Sequence, residues 1–129
     1  MNRTISILLA VVGVIHLLPL SGVLGAERLA VLYGLSFDDP SLQIMMRHRA
    51  VLFGMLGAFL LFAAVRPELR AVALIAGFAS TLSFLWLAWS VGGYNAAIGR
   101  VVAADVVAVG CLAAALALHL LQQRAAVSA

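Results

Sequence analysis

The chain has 129 residues, 65% hydrophobic and 10% charged, with a formal net charge of +3. A soluble domain of this size needs more polar side chains to cover its surface, and the mean hydropathy of +1.16 excludes that class. The arginines are scattered through apolar sequence without a basic stripe or stacking platform, so the basic balance does not point to nucleic acid; here it sets orientation in a bilayer.

Four membrane-length segments are expected in one domain over 1–129, with no linker or tail left for a second. The first covers 5–24. Its Met1-Asn2-Arg3 head resembles a signal peptide, but the run is long, contains His16, and ends at Leu24-Gly25-Ala26, where the large Leu24 spoils a small-x-small cleavage site. Pro19 removes a helical hydrogen bond and frees the carbonyl of Ile15, which predicts a kink beside His16. Ala26 to Leu35 places Leu29, Leu32 and Tyr33 at helical spacing, with Glu27 and Arg28 facing water; the segment is too short to span and reads as an interfacial helix.

The second span, 40–65, starts with Asp39 as N-cap and Pro40 at the first helical position. Its head carries Arg47-His48-Arg49. Ala50, Gly54 and Ala58, with Gly57 alongside, permit close helix approach, within the molecule or between copies. The third span, 69–91, is broken by Gly92-Gly93, and the fourth, about 98–122, starts between Ala96 and Val101. Short connections make these an all-α, integral-membrane, up-down four-helix bundle with the interfacial helix between spans one and two. Arg3, Arg66, Arg70 and Arg124 then share one side with both termini, and Arg28, Arg47, Arg49 and Arg100 share the other. Glu27, Asp38 and Asp39 accompany the second group, so the first is assigned to the cytoplasm.

Helical rise gives relative depths. At about 1.5 Å per residue, Arg49 and Asp105 each lie about 24 Å above the cytoplasmic boundary, Trp86 about 24 Å and His16 about 18 Å. Arg47, Tyr94, Asn95 and Arg100 fall higher, so the polar residues gather in one slab toward the outer side. An unpaired carboxylate is costly among the apolar neighbours of Asp105, and an ion pair with Arg49 or Arg47 fits the depth. That pair is either a structural bridge fixing helix register or a ligand or proton site. Arg47 and Arg49, two apart, point to different sides of their helix: one faces the bundle and one reaches headgroups or loop carboxylates.

His16 and His48 are candidate proton carriers. His16 is equally a residue bonded to a backbone carbonyl or a neighbouring helix. Trp86 and Trp89 share a face, as an outer aromatic belt or the wall of a pocket for a flat apolar molecule. Cys111, the single cysteine, excludes an internal disulfide and a multi-cysteine metal site. Two histidines without a supporting motif do not establish a metal or haem site, and no cofactor is assigned. There is no P-loop, hydrolase elbow, metalloprotease motif or dinucleotide fingerprint.

Asp39-Pro40, the run Met46-Arg47-His48-Arg49-Ala50-Val51-Leu52-Phe53-Gly54, and Gly92-Gly93-Tyr94-Asn95 with Arg100 and Asp105 resemble small bacterial inner-membrane proteins of the DoxX-like four-helix type, over nearly the whole chain. The resemblance implies a four-helix inner-membrane fold and supplies no established active site. Proteins of this kind are sometimes labelled phosphopantetheine adenylyltransferase. That soluble enzyme needs an α/β sheet and a His-x-Gly-His phosphate motif, neither of which is in this sequence.

The expected function is that of a binding or accessory protein whose polar layer, Arg47, His48, Arg49, Asp105, His16, Trp86, Tyr94, Asn95 and Arg100, holds a lipid or small amphiphile near the periplasmic side. One alternative is a small membrane enzyme using Asp105 and a histidine for proton transfer; another is a purely structural subunit. Partners are membrane lipids and either further copies or a larger membrane complex, with no nucleic acid.

Overall fold

Five α-helices and no strand make up the computed structural model, which describes residues 2–128. Helix α1 (Asn2–Leu17) runs straight into a 3-10 helix over Leu18–Leu24. Pro19 sits at the start of that stretch and cannot donate back to the preceding turn, so the α-helix yields there. The first span is therefore 16 residues of α-helix followed by 7 of 3-10 rather than one continuous α-helix. Helix α2 (Ala26–Tyr33) is closed by Gly34 in the left-handed conformation, φ 65°, whose N–H donates to the Ala30 carbonyl.

Helix α3 (Pro40–Val65) begins as its sequence dictates: the Asp39 carboxylate accepts from the Leu42 N–H at 2.9 Å, with Pro40 next in line. A short 3-10 turn over Pro67–Leu69 leads into α4 (Arg70–Val91). Helix α5 (Ala96–Val127) is capped by Asn95, whose side-chain oxygen accepts from the Ile98 N–H at 2.9 Å. It runs past the expected stop near Gln122, because Gln122, Gln123, Arg124 and the alanines after them are good helix formers that can continue into water.

Four stretches of 23, 26, 25 and 32 residues are long and apolar enough to cross a membrane. They pack as a closed ring in up-down order: α1 against α3 and α5, and α4 against α5 and, less extensively, α3. The chain is thus an all-α, four-span, multi-pass membrane protein.

The core occupies the end of the bundle away from α2. Ile5, Leu9 and Val12 of α1 meet Leu60, Ala63 and Ala64 of α3, Ala73 and Leu74 of α4, and Ala108, Leu112 and Ala115 of α5. Small residues let the backbones come together. A Cβ built on Gly57 would sit 2.8 Å from the Gly13 carbonyl oxygen, so α1 and α3 cross backbone to backbone there. The small-residue stripe is spent inside the molecule, but not as its four-residue spacing suggested: Gly54 receives Leu20 and Gly57 receives Gly13, while Ala58 is exposed. A second, smaller cluster of Leu29, Tyr33 and Phe37 seats α2 on the other end.

Arg70 is a departure from expectation. Instead of serving only as a cytoplasmic-side charge, it is 3% exposed and donates to the Asn2 side-chain oxygen at 2.8 Å and to the Ser6 hydroxyl at 3.0 Å. Ser6 in turn donates to the Ala64 carbonyl, joining α1, α3 and α4.

Candidate functional site

The inward stripes of three helices change chemistry on passing from the core toward α2. On α1, Ile5, Leu9 and Val12 give way to His16; on α5, Ala115, Leu112 and Ala108 give way to Asp105. On α3, Leu60 and Gly57 give way to Phe53 and then Arg49. Helical spacing alone carries these polar groups to the bundle axis at one level. They do not close on one another. Around them lies a cavity of about 270 Å³, bounded by Ile15, His16 and Pro19 of the first span, Leu32 and Tyr33 of α2, Arg49 and Phe53 of α3, Phe84 of α4, and Arg100, Ala104 and Asp105 of α5.

Arg49 is fixed by two aromatic contacts and one hydrogen bond. It donates to the Tyr33 hydroxyl at 2.7 Å, and its guanidinium carbon lies 4.6 Å from the centre of the Phe53 ring and 5.4 Å from that of Tyr33. Such contacts offset part of the cost of holding a cation among apolar groups, by about 0.5–2 kcal/mol each. Phe53 also packs on the His16 ring, with centroids 5.8 Å apart.

The expected ion pair between Asp105 and Arg49 or Arg47 is not formed: Arg66–Glu68, at 3.3 Å, is the sole pair within 4 Å among the described residues. Asp105 is 7% exposed and has no hydrogen-bond partner for its side chain among the described residues; it borders the same cavity as Arg49. Aromatic rings have taken the place at Arg49 that a carboxylate was expected to fill.

His16 is tied at both ring nitrogens. Nδ1 lies 2.9 Å from the Val12 carbonyl, which can only accept, so Nδ1 carries the proton; Nε2 lies 3.1 Å from the Ser80 hydroxyl, which donates to it in the neutral ring. The carbonyl engaged is that of Val12, one turn back, rather than the freed Ile15 carbonyl.

Of the nine residues proposed from sequence, His16, Arg49, Arg100 and Asp105 border the cavity and five do not. Arg47 instead reaches the Val23 carbonyl, 2.8 Å away, at the end of the 3-10 stretch. His48 is exposed on α3. Trp86, 63% exposed, pairs with Trp89 on the outer face of α4, their ring centroids 5.2 Å apart. Tyr94 is exposed in the α4–α5 turn. Asn95 is a fastener: beyond capping α5, its amide donates to the carbonyls of Tyr33 and Gly34 at 2.8 and 3.2 Å. Sequence reasoning missed Tyr33, Phe53 and Phe84 as cavity walls. Phe53 stands one turn from Arg49 on the same helix face, a spacing that was available to find it.

A second cleft of about 420 Å³ lies under the loop between α2 and α3, lined by Leu35, Phe37, Met46 and Ile98, and it shares Tyr33 and Arg49 with the inner cavity. No group of three or more His, Cys, Asp or Glu side chains that could hold a metal occurs among the described residues. No family model, curated protein or solved structure matches the chain.

Proposed function

We propose that this protein binds a small amphiphile in the cavity beneath α2, with the polar end of the ligand between Arg49 and Asp105 and its apolar body against Phe53 and Phe84. The observation that carries this reading is that a cation and a carboxylate border one mostly apolar cavity without pairing. Oppositely charged groups held apart in a low-dielectric interior stay costly unless a polar group from outside the chain meets them. A few convergent polar groups in an apolar pocket are also the usual composition of a ligand site.

The membrane in this proposal is the bacterial inner membrane, in keeping with the DoxX-like resemblance, with both termini cytoplasmic and the cavity toward the periplasm. Setting aside the buried Arg70 and the cavity-lining Arg49 and Arg100 leaves Arg3, Arg66 and Arg124 on the side of the termini and Arg28 and Arg47 on the other. That difference favours the termini as the cytoplasmic, more positive side.

A second reading, proton transfer by Asp105 and a histidine, is favoured by His16 bordering the same cavity. It requires the Ser80 or Val12 bond of His16 to open first.

Native mass spectrometry of protein released from membranes tests the binding reading. A discrete bound mass is expected with the wild type and not with Ala104→Phe, which fills the cavity from its α5 wall. Identical bound species in both proteins would sink the proposal.

A further inference from the structure

Resting on that reading, we propose that the occupant is a small apolar monoanion, a carboxylate or phosphate diester carried on a short or aromatic hydrocarbon body, and that Arg49 is its principal anchor.

Three formally charged side chains border the cavity, Arg49, Arg100 and Asp105, so the set carries one more cation than carboxylate. A single negative charge neutralises it, and Asp105 opposes a second. A guanidinium offers five N–H donors, and Arg49 spends one recorded hydrogen bond within the protein, on a neutral phenol. The Phe53 and Tyr33 rings hold the guanidinium in place without satisfying its remaining donors. A fixed, partly desolvated guanidinium with donors to spare is a site for an oxyanion.

The body of the ligand follows from the walls. Ile15, Phe53, Phe84 and Val101 offer no hydrogen bonds from their side chains, which disfavours sugars and nucleotides. The volume of about 270 Å³ is under twice the roughly 150 Å³ that accepts one benzene, which sets the body at about two fused rings or a chain of similar bulk.

The test uses 2-naphthoate and its neutral analogue 2-naphthylmethanol, titrated calorimetrically into the full-length protein in phosphatidylcholine nanodiscs. Naphthoate is expected to bind at least tenfold more tightly than the alcohol. Arg49→Gln should abolish that preference, Arg49→Lys should keep part of it, and Arg66→Gln, at the other end of the bundle, should leave it intact. Asp105→Asn should not weaken naphthoate binding, because the carboxylate has the wrong sign to hold it. Equal or tighter binding of the alcohol would overturn the charge class and leave the amphiphile reading standing. Binding of neither probe would overturn both. Mass spectrometry of the natural bound species separates the sources: a small free carboxylic acid or a short-chain phosphodiester each supports the proposal, and a full-length, neutral or cationic lipid overturns it.

Discussion

Arg49 donates a 2.7 Å hydrogen bond to the Tyr33 hydroxyl, and these two side chains form the wall shared by the inner cavity and the cleft under the α2–α3 loop. A molecule passing from the loop side to the bundle axis must part them. Tyr33→Phe keeps the ring and removes the acceptor. Stopped-flow mixing with 2-naphthoate should show faster association, and unfolding in detergent should show a loss of about 1 kcal/mol. An unaltered association rate would mean that ligands take another path.

The Gly13–Gly57 crossing leaves no room for a methyl group. Gly57→Ala would press its Cβ against a backbone oxygen that cannot rotate away, and should destabilise the bundle by about 1–3 kcal/mol. Gly110→Ala is the control, since no atom of another helix among the described residues lies within 4 Å of its built Cβ; replacing a mid-helix glycine there should stabilise by up to about 1 kcal/mol. Thermal unfolding in one detergent compares the two directly.

Arg70 links α4 to Asn2 and Ser6 from a buried position. Its loss leaves the Asn2 side-chain oxygen without that donor, so Arg70→Ala should cost about 1–3 kcal/mol. Arg70→Lys should not restore stability, because an ammonium cannot reach two acceptors with a planar fork. Full rescue by lysine would show that charge, not fork geometry, matters at this position.

Asn95 combines an acceptor at the start of α5 with donors to the end of α2. Asn95→Ala should lose both functions, at about 1–2 kcal/mol. Asn95→Asp keeps the cap but faces two carbonyl oxygens with a carboxylate. It should leave α5 helical while amide exchange in α2 accelerates. Unchanged exchange in α2 would show that the fastening bonds contribute nothing.

Much of the fold was legible because hydrophobic run length and capping chemistry act locally: Asp39-Pro40 and Gly92-Gly93 mark their boundaries without help from distant residues, whereas the capping role of Asn95 was not read. The 3-10 character of Leu18–Leu24 was half legible, since Pro19 announces a break but not what the chain does after it. Depth counting brought Arg49, Asp105 and His16 to one region, because helical rise is a constant. It could not say what each would touch. Partner choice at Arg49 depends on the rotation of α2 and α3 about their own axes, which placed Tyr33 and Phe53 against the guanidinium and left Asp105 unpaired. Burial of Arg70 was hidden for a related reason: its position in the sequence is that of a cation at the interfacial end of a span, and only the approach of the first turn of α1 encloses it. Trp86 and Trp89 had two readings on one helix face, and only the packed bundle turns that face outward.

Helix α5 leaves the hydrophobic region through Gln122, Gln123 and Arg124 and stays helical to Val127. That projecting turn is a natural splice point. A helical scaffold protein fused in register after Val127 would inherit the orientation of the bundle, giving electron microscopy a rigid fiducial on a chain otherwise hidden within its detergent belt.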